Sequence, residues 1–129
     1  MNFVDLGKKN ILVVEDDIFN RKLIVKFLGK HKNLKLFESH NGSDALDQLH
    51  DFNVDLCLLD LYMPQMDGLE MLSYIRQKEK YKDLPIIVIT SDEIERKKSL
   101  ALGANSFIPK PINLKELELE VYKSLRGVL

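Results

Sequence analysis

The chain has 129 residues, of which 45% are hydrophobic and 30% charged, with 19 basic residues against 20 acidic ones and a net charge of −1. This length suits one domain with a real core, and the balanced charge argues against sequence-independent nucleic-acid binding. A single cysteine, Cys57, excludes an intramolecular disulfide framework and fits a reducing compartment.

No apolar run approaches the ~20 residues that span a bilayer, and residues 1–9 lack the pattern of a signal peptide. The expectation is a soluble, cytoplasmic protein without direct nucleic-acid or membrane contact. Residues 1–9 read as a loosely attached extension, 10–126 as the domain and 127–129 as a tail.

Five apolar runs stand at 11–14, 34–37, 54–59, 86–89 and 106–108. Three are nearly continuous, as in strands covered on both faces, while Lys35 between two leucines suits an edge strand. Stretches of helical period separate them. Residues 18–31 place Ile18, Leu23, Ile24, Phe27 and Leu28 on one side, and residues 42–52 follow with Asn41 or Ser43 as cap. Residues 68–77 carry Leu69, Leu72 and Ile75; residues 92–102 carry Ile94, Leu100 and Ala101 and stop at Gly103. Residues 113–125 bury Leu114, Leu117, Val121 and Leu125. Alternation of this kind predicts an α/β fold, an open, doubly wound, five-stranded parallel sheet with helices on both faces.

In such sheets ligands bind beyond the carboxyl ends of the strands. The residues there are Glu15, Asp16 and Asp17 after the first run, Asp60 after the third, Thr90 and Ser91 after the fourth, and Lys110 after the fifth. Taken singly each has a plain structural reading: Asp17 and Thr90 as helix caps, Asp60 as a solvated strand end, Lys110 as a surface lysine. Together, carboxylates from two strands repel one another unless a cation intervenes, and magnesium takes such oxygen donors. Asp60 as nucleophile, with Lys110 and Thr90 on the equatorial oxygens, is the apparatus of phosphoryl transfer.

Four segments carry a resemblance to a known family: Ile11-Leu12-Val13-Val14-Glu15-Asp16-Asp17; Leu58-Leu59-Asp60-Leu61-Tyr62-Met63-Pro64-Gln65-Met66-Asp67-Gly68; Ile89-Thr90-Ser91; and Gly103-Ala104 leading to Phe107-Ile108-Pro109-Lys110-Pro111. In that order they resemble the response-regulator receiver domain of two-component signalling, over residues 10–125. The resemblance implies a flavodoxin-like (βα)5 sheet of order 2-1-3-4-5 and Asp60 as phosphoacceptor. It implies a phosphoryl donor that is a histidine kinase or a histidine phosphotransfer domain. Asp16, Glu15 through a water, Asp60 and the Tyr62 carbonyl would hold magnesium, with manganese as an alternative.

Thr90 and Phe107 would form a switch pair acting on the face of the fourth helix, fifth strand and fifth helix. Lys110 would meet the phosphate, and the Lys110–Pro111 bond would be cis. Such a protein phosphorylates and dephosphorylates itself but is not a turnover enzyme, and pairing of two copies on phosphorylation is compatible with it. Tyr62 is larger than the residue many members carry and is expected to shield the acyl phosphate from water. Phe107 stands where tyrosine is frequent.

Rival readings fare worse. A flavodoxin-like cofactor binder needs a Gly/Ser/Thr-rich loop where Glu15-Asp16-Asp17 stands, and a haloacid-dehalogenase-type hydrolase needs an aspartate where Tyr62 stands. A degenerate receiver, binding partners without phosphorylation, remains the alternative. His31, His40 and His50 read as surface residues, and Arg96-Lys97-Lys98 as a solvated face. Met63 and Met66 read as loop filling or as docking contacts. No output domain follows the fifth helix, which leaves a stand-alone regulator and an amino-terminal receiver of a longer chain both open.

Overall fold

The computed structural model describes residues 1–63 and 67–127. Five strands, β1 (Lys9–Val14), β2 (Leu34–Ser39), β3 (Leu56–Asp60), β4 (Ile86–Thr90) and β5 (Ser106–Pro109), alternate with five helices, α1 (Ile18–Leu28), α2 (Gly42–Asp51), α3 (Gly68–Gln77), α4 (Glu93–Ala101) and α5 (Leu114–Arg126). All neighbouring strands are parallel, in the order β2-β1-β3-β4-β5. The sheet is therefore flavodoxin-like, and the lysine-bearing second run is an edge strand.

Alternation along the strands builds two cores. Ile11, Val13, Leu56, Leu58, Ile87 and Ile89 face α1 and α5, meeting Ile24, Leu28, Leu117 and Val121. Leu12, Val14, Cys57, Leu59, Ile86 and Val88 face the other way, against Ala45 and Leu49 of α2 and Met71, Leu72 and Ile75 of α3. Cys57 is fully buried, and burial pushes its thiol pKa up to about 12.

Each helix begins on a side-chain cap. Asp17, Asn41, Asp67, Asp92 and Asn113 accept from backbone amides of the first turn of α1 to α5 in that order. Three expectations need correction. Residues 1–9 are not loosely attached: Phe3 is buried, stacks on His31 at 3.8 Å and meets Tyr122 edge-on. Asn33 fixes that segment by donating to the carbonyls of Phe3 at 2.6 Å and Gly7 at 2.7 Å, and β1 already begins at Lys9. His31, expected on the surface, is half-buried in this arrangement and lies 2.7 Å from Glu118 of α5. Ile18, Leu23, Ile94 and Leu100, expected to face the core, are exposed. No helix among the described residues is long and apolar enough to cross a membrane.

Candidate functional site

The strand order reverses at β1, so β1 and β3 lie side by side while their following helices leave on opposite faces, opening a crevice at their carboxyl ends. Glu15 follows β1 and Asp60 ends β3; both are buried, at 0% and 1% exposure. Glu15 is held by its amide, which donates to Ser39 at 3.0 Å, and by its carbonyl, which accepts from Arg21 at 2.8 Å. Asp60 is fixed by the Leu61 amide donating to Ile89, and its Oδ1 accepts from the Tyr62 amide at 3.1 Å.

Lys110 enters from the end of β5, where its own amide donates to the Thr90 carbonyl at 3.1 Å and its bond to Pro111 is cis. Its ammonium donates to Asp60 Oδ2 at 2.9 Å and stands 3.9 Å from Glu15 Oε1. Burial opposes the charge on Lys110, yet the hydrogen bond to Asp60 and the charges of Asp60, Glu15 and Asp16 outweigh it and raise its pKa. Glu15 is pushed up to about 8, by burial first, then by its close contact with the Asp60 carboxyl, against the pull of Lys110 and the Asp17 amide.

Carboxylate oxygens of Glu15, Asp16 and Asp60 lie within 4.8 Å of one another, and Glu15 Oε1 is buried without a hydrogen-bond partner among the described residues. A buried acceptor left without a donor costs about 1–3 kcal/mol. Three clustered carboxylates, one of them with an unsatisfied oxygen, therefore fit a divalent cation such as magnesium.

The remaining parts surround this centre. Thr90 follows Ile89, the residue paired with Asp60, and its Oγ1 accepts from the Asp92 amide at 3.0 Å, so its hydroxyl proton stays available. Phe107 is half-buried on the α2–α3 side, with the Arg96 guanidinium of α4 over its ring at 3.9 Å from the centroid. Tyr62 is 76% exposed at the rim. Gly68 permits the loop after Asp60 to close: a Cβ there would lie 2.5 Å from Leu61 Cα and 3.0 Å from the Asp60 carbonyl. Met63 is buried in the core, whereas Pro64, Gln65 and Met66 of the quoted motif lie outside the described residues.

Sequence reasoning missed Arg21, Ser39 and Arg96. Arg21 also pairs with Glu38 at 3.1 Å, so one arginine joins the edge strand to the carbonyl of a site carboxylate. Arg96 was hidden inside a basic run, and its contact with Phe107 of β5 gives no signal in the sequence of α4.

Comparison with known proteins decides the family. The sequence pattern of the family described as "Response regulator receiver domain" matches residues 11–122. The chain belongs to that family.

As a receiver domain it is 37% identical over 122 residues to the transcriptional regulatory protein ResD of Bacillus subtilis, covering 93% of this chain and 49% of that relative. It is 30% identical over 123 residues to the two-component response regulator ARR17 of Arabidopsis thaliana, covering 84% of this chain and 80% of the relative. The receiver thus spans about half the length of ResD and of CpxR from Escherichia coli, both transcriptional regulatory proteins. Among solved structures, the signal receiver domain of a signal transduction histidine kinase from Syntrophus aciditrophicus superposes with a TM-score of 0.84 at 30% identity, covering 93% of this chain and 92% of that one. The chemotaxis response regulator CheY4 of Vibrio cholerae, at 24% identity and a TM-score of 0.84, shares the fold over 92% of this chain and 99% of its own.

Proposed function

We propose that this receiver accepts a phosphoryl group from a phosphohistidine onto Asp60. The observation that carries the reading is the pair of buried carboxyl groups of Glu15 and Asp60 with the half-buried Lys110 ammonium between them, and a Glu15 oxygen that has no donor among the described residues. An Asp60 carboxylate oxygen attacks phosphorus in line, a P–O bond forms, and the P–N bond of the donor breaks with its electron pair kept by the imidazole. The Lys110 ammonium, now on Asp60, moves to an equatorial phosphoryl oxygen, and the Thr90 hydroxyl donates to another. Glu15, Asp16, Asp60 and the Tyr62 carbonyl would hold magnesium or manganese, which when bound supplies neutralisation of the charge on the phosphoryl oxygens.

The donor is a histidine kinase or a histidine phosphotransfer domain. The exposed Ile18, Phe19 and Leu23 of α1, just after the acidic loop, offer it apolar footing beside the site. Movement of Thr90 toward the phosphate and of Phe107 inward would change the α4–β5–α5 face presented to a target, a second copy of the chain included. As a signalling module in the cytoplasm, it would turn over only its own acyl phosphate.

The test is incorporation from acetyl phosphate, read by intact mass, with and without magnesium. One phosphoryl group per chain is expected, dependent on magnesium and absent from Asp60→Asn. Addition that survives Asp60→Asn, or no addition under conditions that label a known receiver, would overturn the reading. Tyr62→Asn is expected to shorten the life of the acyl phosphate several-fold in a dephosphorylation time course, since the exposed ring shields it from water; an unchanged lifetime removes that role.

A further inference from the structure

The opposite pole of the sheet carries a feature that phosphoryl chemistry leaves unused. At the amino ends of β1 and β2, where Lys9 pairs with Leu34 and Asn10 with Lys35, lies a groove of about 620 Å³. Lys8, Lys9, Lys30, Lys32 and Lys35 line it, and no acid does. With five bases gathered here, the rest of the chain holds 14 bases against 20 acids, so the groove is a basic patch on a chain whose remainder has an acidic excess. Lys30 is paired with Glu118 at 2.9 Å; the other four have no ion-pair partner among the described residues.

The groove is built rather than incidental. Lys8 and Lys9 come from the leading segment, Lys30 and Lys32 from the turn between α1 and β2. Asn33 clamps the two together through its bonds to Phe3 and Gly7, while its carbonyl accepts from the Lys9 amide at 3.0 Å. The stack of the buried Phe3 on His31 locks the same junction. The backbone positions that carry the five lysines are thereby fixed around one groove, a concentration of like charge that a bound anion relieves.

We propose that this groove docks a short acidic segment of a protein partner, one that carries aliphatic side chains among its carboxylates. Val4, 76% exposed, gives the groove an apolar wall beside its charges, which suits a peptide of mixed character. A bilayer surface is flat on this scale and does not fill a concavity. A long nucleic acid would run beyond the groove onto the rest of a chain that carries 14 bases against 20 acids. The groove also has no arginine fork, and its one ring, His31, is already covered by Phe3. Asp60 lies at the far end of strands roughly 20 Å long, so docking is independent of the phosphorylation site.

The probe is a fluorescein-labelled peptide alternating glutamate and leucine, followed by fluorescence polarisation and by amide chemical shifts of the full chain. Saturable binding is expected, weakened by salt, with shifts at residues 8, 9, 32 and 35 and an affinity unchanged in Asp60→Asn. The doubly reversed K8E/K32E, at two exposed positions and checked for an unchanged thermal midpoint, is expected to bind at least about tenfold more weakly. K97E/K98E, on exposed positions of α4, is the matched control and is expected to bind within about twofold of wild type. No saturation below about 1 mM, or equal weakening in both double variants, overturns the proposal. So does tighter binding of a thymidine oligonucleotide or of phosphatidylserine vesicles through the same lysines, which would reassign the groove to those ligands.

Discussion

Helices α4 and α5 follow Thr90 and Lys110, the residues at the carboxyl ends of the last two strands, and are held in very different ways. α5 is 13 residues long, buries Leu117, Val121 and Ser124, and ends on Gly127 in a left-handed cap. It is tied sideways through Glu118 to Lys30 and His31, and through Glu120 to Ser106. α4 is 9 residues long and buries only Ser99, leaving Ile94 and Leu100 exposed. Its hold on β5 includes the Arg96 guanidinium on Phe107. The fold thus fastens one of these two helices and leaves its neighbour with little apolar anchorage, and elements of low local stability are the ones that move.

That contrast can be broken most easily by truncation. Leu117→Ala should cost about 2–5 kcal/mol in urea unfolding, against about 0.5 kcal/mol or less for Leu100→Ala. Equal losses would mean that α4 is as well anchored as α5. Hydrogen exchange sharpens the point: amides of α4 should exchange at least roughly tenfold faster than those of α5, and acetyl phosphate should change α4 protection while sparing the centre of α5. Arg96→Ala, which removes the contact with Phe107, should cost about 0.5–1 kcal/mol and narrow no difference in α5. Its ring environment is readable from the Phe107 proton shifts.

The smallest effect is the pH dependence, and it has opposite signs in the two helices. Burial works against the Glu118 carboxylate, but its bonds to Lys30 and His31 win and lower its pKa. Its contribution is therefore present above the unfolded value near 4.5 and is lost as pH falls through the lower, folded one. Glu95 of α4 is raised, by burial first and then by the charges of Asp92, Asp67 and Asp60. Its folded form binds protons more readily than the unfolded chain, so acidification stabilises it and rising pH through the folded value removes that gain. Glu118→Gln should flatten the acid limb of a thermal-stability profile, whereas Glu95→Gln should raise the neutral plateau.

Much of this was legible in the sequence because strands, caps and periodicity are local. The five runs, their order along the chain and the capping aspartates and asparagines follow from composition at fixed spacing. The convergence of Glu15, Asp60 and Lys110 followed once the fold class placed strand ends together. What was not legible depends on contacts distant along the chain. Ile94 and Leu100 have core-like spacing, yet nothing in α4 reveals that the sheet offers them no partner. His31 looked like a surface residue because its partners, Phe3 and Glu118, lie 28 residues before it and 87 after it. Arg96 sits in a basic run whose neighbours do point to solvent, and only β5 singles it out.

The burial of Cys57 reaches beyond folding into how the contrast can be watched. Fully enclosed in β3, with its thiol far above neutrality, it is closed to maleimides and iodoacetamides in the native state. The wild-type background is therefore chemically silent. One new cysteine at the exposed position 100 and another at position 119 would accept a spin pair or a dye pair without removal of the native residue. The separation of α4 from α5 then becomes a ruler for the receiver when acetyl phosphate is added.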